Sequence, residues 1–303
     1  MSCPSISAAR SNGVSRYGWR TGPVAALLFA ASAAHAQAPR VAGEASSHHA
    51  MESPGNRAGD TLRYPYVAAF SRSSGGDRVY FCAGALVAPR WILTAAHCFY
   101  NPRGARIGRE GLQVEVGANW LGEVPIEAQV AVARIIVHPD FDPQSQDNDI
   151  ALVELAEEAG PLIAEVATAR AGPDPAQGTV LGFGSFYEGR LAANAVTRTG
   201  APASQASDRL RQAVVRIVDP AACSAQLGGA EAIGASRICA GAGRDATCVG
   251  DSGAPLVVEG AGRTDRVAGV VSLGSGCANA RPVTVYTRVS AYAGWIAATI
   301  RGR

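Results

Sequence analysis

Three short segments hold the residue types that a covalent hydrolytic mechanism needs. Thr94-Ala95-Ala96-His97-Cys98 offers an imidazole, Asp147-Asn148-Asp149-Ile150-Ala151-Leu152 offers carboxylates, and Gly250-Asp251-Ser252-Gly253-Ala254-Pro255 offers a hydroxyl on a glycine-flanked turn. A serine attacking a peptide carbonyl needs a base to take its proton and donors for the oxygen that becomes negative. His97 is the candidate base, Ser252 the nucleophile and Asp149 the orienting carboxylate. Singly, each has a plainer reading as a packed core histidine, a turn aspartate or a serine in a Gly-rich turn. Their order, His then Asp then Ser, 52 and 103 residues apart, carries the inference.

That order argues against an esterase of the α/β-hydrolase class, which runs serine, acid, histidine around a G-x-S-x-G elbow. With these flanks, the segments closely resemble the chymotrypsin/trypsin family of secreted serine endopeptidases over roughly residues 63-303. Supporting matches are Phe81-Cys82-Ala83-Gly84-Ala85-Leu86, Gly182-Phe183-Gly184 and Val271-Ser272-Leu273-Gly274.

The resemblance implies an all-β fold of two six-stranded antiparallel β-barrels with a C-terminal α-helix. It implies that His97 takes the Ser252 proton and returns it to the leaving amine, while Asp149 holds the imidazole tautomer. Asp149 is preferred over Asp147 because the Asp-Ile-Ala-Leu string aligns on it. The backbone N–H groups of Gly250 and Ser252 would form the oxyanion hole, and Ser272 would support Asp149 and an extended substrate. A protein that keeps the fold without turnover is the competing reading.

For specificity, the resemblance places Ala246 at the pocket base, Gly274 at its mouth and Thr284 inside it. A small or medium apolar residue on the acyl side of the cut is expected. Asp245, one place before Ala246, keeps a basic preference open through charge pairing. Activation in relatives exposes a terminus reading Ile-Val-Gly-Gly. The nearest match here is Val41-Ala42-Gly43-Glu44 after Arg40, so Val41 is the expected partner of Asp251 and an activating protease an expected partner of the chain.

The chain has 303 residues, 48% hydrophobic and 17% charged, enough for a substantial core. Arg10, Arg16 and Arg20, the apolar run Pro23 to Ala33 and Ala34-His35-Ala36 read as a signal peptide over residues 1-36. Export to a periplasm or the medium follows, and about eleven apolar residues fall short of the ~20 of a spanning helix. No membrane insertion is expected. Residues 1-40 carry four Arg and no acid, so their removal leaves 23 Lys+Arg against 25 Asp+Glu, a net charge of −2. No basic cluster then supports a nucleic-acid partner. Substrates are expected to be proteins or peptides, and the chain a monomer.

Setting Cys3 aside with the signal peptide leaves Cys82, Cys98, Cys223, Cys239, Cys248 and Cys277. Their number allows fifteen connectivities, and the absence of a C-x-x-C pair argues against a metal site. Neither a metal nor any other cofactor is expected. The family resemblance implies Cys82–Cys98, Cys223–Cys239 and Cys248–Cys277, while a fourth bridge common in relatives is absent.

Residues 37-62 read as an irregular propeptide-like segment, with the fold beginning near Arg63. Short β-prone runs follow: Tyr66-Phe70, Val79-Cys82, Ala85-Val87, Trp91-Thr94, Leu112-Val116, Ala128-His138 and Ile150-Leu155. A second set comprises Gly178-Gly182, Gln212-Val218, Pro255-Glu259, Arg266-Leu273 and Val283-Val289. The Pro/Gly-rich stretch Ala171-Gly172-Pro173-Asp174-Pro175 separates them, giving barrels over about 63-172 and 176-303. Tyr292, Trp295, Ile296, Thr299 and Ile300 fall at helical spacing at the end.

Overall fold

Strands rich in β-branched and aromatic residues form wherever an apolar face can close on itself, and two such closures build this protein. The computed structural model describes residues 63–74, 77–122, 129–160, 163–168, 176–184, 209–229, 233–241, 251–260, 264–274 and 283–302. All of them belong to one unit, Ser47–Arg303. The expectations on residues 1-62, including Val41, lie outside the described residues. So do those on Asp245, Ala246, Cys248, Gly250 and Cys277 and on the 171-175 linker.

The first barrel contains β1 (Val67–Ser74), β2 (Asp77–Ala88), β3 (Trp91–Thr94), β4 (Leu112–Val116), β5 (Val130–Val137) and β6 (Ala151–Leu155). It closes in the order β1-β2-β3-β6-β5-β4, every pair antiparallel. Closure leaves no free edge, and Phe70, Leu86, Ile92, Leu93, Leu152 and Leu155 are buried in the core.

β7 (Glu165–Val166) precedes the second set: β8 (Gln177–Gly182), β9 (Arg211–Val218), β10 (Arg237–Gly241), β11 (Pro255–Glu259), β12 (Asp265–Gly274) and β13 (Thr284–Arg288). Their order is β11-β8-β9-β10-β13-β12, and β11 pairs again with β12 to close a second six-stranded antiparallel barrel. β7 adds outside it, parallel to β12. Leu181, Val215, Leu256, Val267 and Tyr286 are buried there, in an apolar core continuous with the first barrel's.

Two helices complete the described fold. α1 (Pro220–Gln226) begins at Asp219, whose carboxylate accepts from Ala221 N (2.9 Å) and Ala222 N (3.1 Å), with Pro220 in the first turn. α2 (Ala293–Ile300) follows a single 3-10 turn, Val289–Tyr292. It is the expected C-terminal helix, with Ile296 buried and Trp295 and Ile300 packed on the core.

The structure differs from the sequence expectation at four elements. The runs Val79-Cys82 and Ala85-Val87 are parts of the single strand β2, which stays paired with β1 through a register shift between Phe70 and Ser71. β10 and α1 were absent from the expected elements, and so was the two-residue β7. Among the described residues no helix is long and apolar enough to cross a membrane.

Candidate active site

The position of His97 follows from the pairing of β3 with β6, where Thr94 faces Ala151. The chain leaving β3 therefore runs beside the chain entering β6, bringing Ala95-Ala96-His97 alongside Asp149-Ile150. His97 opens a one-turn 3-10 helix, His97–Phe99, anchored by fully buried Phe99 and by the Cys98–Cys82 disulfide to β2. The Cys223–Cys239 bridge ties α1 to β10. Each closes a 16-residue separation, worth about 3 kcal/mol in the chain-entropy picture.

Asp149 is fully buried and meets His97 at two points. Its Oδ2 lies 2.7 Å from Nδ1 of the ring, and its Oδ1 accepts from the His97 backbone N–H at 2.8 Å. Ser272 Oγ donates to the same Oδ2 at 2.5 Å, and Thr287 Oγ1 donates to the Asp149 carbonyl at 2.7 Å. Burial alone would raise the Asp149 carboxyl. The His97 charge, the ring hydrogen bond, Ser272 and the backbone N–H outweigh it and hold the carboxyl below its ordinary value. For His97, burial pulls the imidazolium down, but the Asp149 charge and hydrogen bond leave it above its ordinary value. Asp147 is elsewhere: its side chain is 59% exposed and pairs with Arg237.

Ser252 reaches this neighbourhood from the second barrel through a tight turn ahead of β11. Ala254 N bonds Asp251 O at 2.8 Å, Gly253 N bonds Val271 O at 3.0 Å, and Ala83 N on β2 bonds Ser252 O at 2.8 Å. The last bond ties the turn to the strand whose Cys82 anchors the His97 segment. Gly253 has φ +77°, and a Cβ there would strike the Ala83 carbonyl oxygen and Thr94 Oγ1. Gly253→Ala is expected to cost about 1–3 kcal/mol in backbone strain alone, with further loss from the collision. Thermal melting together with titration of active sites would register it as a lower Tm and a smaller active fraction.

Asp251 is fully buried and accepts from Gly184 N at 2.9 Å. Side chains at Gly182 or Gly184 would collide with its carboxylate, so the Gly-Phe-Gly string gives the chain room to wrap this acid. Of the positions expected to set specificity, the β12–β13 register sets Gly274 opposite Thr284, and Thr284 is buried at 1% exposure. A cleft of about 460 Å³ opens beside the imidazole, lined by His97, Tyr100, Arg103, Phe141, Gln144 and Gln146 among others. The residues that sequence reasoning missed are Thr287, Tyr292 as a ligand of Asn148, and Arg237. Each lies 90 or more residues from its partner, beyond the reach of a local motif. The described Cys82, His97 and Cys98 cluster is no metal centre, since both thiols are spent in the disulfide.

Two closed antiparallel barrels, a histidine–carboxylate pair on one and an Asp-Ser-Gly turn on the other, define the chymotrypsin-like class of folds. The trypsin family model matches residues 54–296. The sequence is 35% identical over 251 residues to coagulation factor XII of Sus scrofa, covering 77% of this chain and 37% of that protein. It is 31% identical over 265 residues to urokinase-type plasminogen activator of Gallus gallus, covering 85% and 59%. With trypsin-1 of Astacus astacus identity is 33% over 255 residues, covering 78% and 94%. The chain belongs to the trypsin family. It spans less than two thirds of the length of the factor XII and urokinase relatives, whereas it spans 94% of the Astacus astacus trypsin-1.

Proposed function

We propose that this protein is an exported serine endopeptidase that cuts protein or peptide substrates through an acyl-enzyme. The observation that carries the reading is the His97 Nδ1–Asp149 Oδ2 contact of 2.7 Å, with Ser272 on the same carboxylate. It fixes a proton on Nδ1 and leaves Nε2 as the base for Ser252. The Gly250 and Ser252 N–H groups then receive the developing oxyanion, and His97 returns the proton to the leaving amine.

The signal peptide ends at Ala36, and cleavage at Arg40–Val41 frees an amino group that pairs with Asp251. The peptidase domain covers 63-303, in two barrels over about 63-172 and 176-303, behind the 37-62 segment. Cys248–Cys277 brackets the specificity pocket, and the enzyme acts as a monomer without metal or cofactor. Thr284 shortens the pocket above Ala246, with Gly274 opposite it in the ladder, so small or medium apolar side chains are preferred on the acyl side. The neighbouring cleft beside His97 has volume for a further substrate side chain.

A mixed peptide library incubated with protein expressed from Gln37 tests this reading. Cuts after Ala, Val or Leu, with an N-terminus at Val41, are the expected result. Cuts confined to Arg and Lys would hand the pocket to Asp245, and a fully active enzyme starting elsewhere would remove the Val41 assignment.

A further inference from the structure

The turn that delivers Asp149 is conformationally expensive. Among the described non-glycine residues only Gln146 (φ 52°) and Asn148 (φ 56°) have positive φ, and they bracket Asp147 just before Asp149. Such conformations persist only where surroundings over-determine them. Here the surroundings come from the other barrel. Arg237 Nη2, on β10, donates to the Ser145 carbonyl and to Asp147 Oδ1, both at 2.9 Å. Tyr292 OH donates to Asn148 Oδ1 at 2.9 Å, while the Asn148 amide donates to the Asp140 carbonyl at 2.8 Å.

Arg237 is the charged member of this set from the second barrel. It is buried at 8% exposure, and its own carbonyl is held by Arg288 Nη2 at 3.0 Å. Its planar fork supplies directed donors that a lysine cannot reproduce. Releasing the 145–147 segment would let Gln146 and Asn148 relax toward the right-handed region. That relaxation rotates the peptide leading into Asp149.

We infer that Arg237 is a positioning residue for the His97–Asp149 pair: from the second barrel it clips the 145–148 turn of the first and so sets how Asp149 meets the imidazole. The inference rests on the proposed triad. It makes the alignment of His97 depend on the docking of the two barrels, because the clip crosses between them.

The test is Arg237→Met, which keeps side-chain length, beside Arg237→Lys, which keeps the charge without the fork. The His97 titration midpoint is read by NMR in a Ser252→Ala background, so it does not depend on turnover. Around His97 the facing groups are the Asp149 carboxylate, on that carboxylate the Ser272 hydroxyl, and the Tyr100 and Arg103 side chains that line the cleft beside the ring. Arg237, Asp147 and Tyr292 stand around the turn behind them. Deleting a nearby cation acts by charge alone to raise an imidazolium midpoint, whereas a misaligned Asp149 lowers it. The expected result for Arg237→Met is a midpoint lower by about half a unit or more, with Arg237→Lys in between. In the active background kcat falls about tenfold with KM within about twofold, the pattern of a displaced base.

A midpoint unmoved or raised in the folded variants would overturn the inference, whatever happens to Tm. Should Arg237→Met not fold, the same two readings on Arg237→Lys decide it. If wild type shows no Ser252-dependent cleavage, the protease reading fails, and the NMR midpoint still decides whether Arg237 aligns the pair.

Discussion

Ser252→Ala is expected to lower kcat by about 10⁶-fold while Tm stays within a few degrees of wild type. The size follows from removing the proposed nucleophile of a unit whose members act together, so that losing one forfeits most of the shared effect. The small change in stability follows from the bonds of the turn. Ala83 N, Gly253 N and Ala254 N hold residues 251–254 through main-chain groups alone, and these survive the substitution. Residual cleavage would come from the oxyanion donors and substrate binding. The check is active-site-normalised turnover of a peptide cut by wild type, paired with thermal melting. A variant that keeps more than about a hundredth of wild-type kcat would assign the nucleophile elsewhere.

Asp149→Asn is expected to lower kcat about 10⁴-fold at neutral pH. Every donor aimed at this carboxylate, the His97 backbone N–H, Ser272 Oγ and the Nδ1 proton, would meet an amide that can accept through only one oxygen. Either a buried donor goes unpaired or the imidazole flips to the tautomer that places its proton on Nε2. The pH dependence separates this loss from simple misfolding. With the proposed triad the neutral imidazole is the base in wild type, so kcat/KM is expected to rise with pH through a His97 value held above its ordinary ~6.5, and in the variant the limb moves to lower pH. For stability the signs differ between the two groups. The depressed Asp149 carboxyl contributes stability present above the ordinary 3.8 and lost as pH falls through its folded value. The raised His97 contributes stability present below ~6.5 and lost as pH climbs through its folded value.

The strands and the candidate catalytic segments were legible in sequence for different reasons. His97, Asp149 and Ser252 each sit inside a run of local neighbours that must pack in one way. Thr94 has to lie under Gly253, and Ala151 has to pair with Thr94, so the geometry of the site left a local imprint on its flanks. Most strands announced themselves through β-branched runs between turns. β10 did not, because Arg237-Ile238-Cys239-Ala240-Gly241 opens on a buried arginine and shows no alternation of inward and outward residues. α1 had a readable start in Asp219-Pro220, an acidic cap followed by proline in the first turn, but seven residues are too few for helical periodicity to speak. β7 is two residues long and exists only through its pairing with β12.

The buried acid Glu115 shows the limit of pattern reading. Leu112 and Val114 alternate inward along β4, which places Glu115 on the outer face, yet it is only 2% exposed. Arg78 pairs with it, and Gly122 N and the Gln129 amide donate to it. Those partners come from β2 and from either side of the 123–128 segment, and no local signal connects them. The Arg237–Asp147 clip is of the same kind, a contact between barrels written 90 residues apart.

The most direct test of the central claim is covalent labelling by a fluorophosphonate, which reacts with a serine only where a neighbouring base activates it. Protein processed at Arg40–Val41 would be treated at neutral pH and its peptides mapped by mass spectrometry, alongside His97→Ala and Ser252→Ala. The expected result is one adduct per chain, on the peptide carrying Gly250-Asp251-Ser252-Gly253, abolished in both variants. An adduct on another residue, or active cleavage with Ser252 unlabelled, would contradict the triad and with it the proposed function.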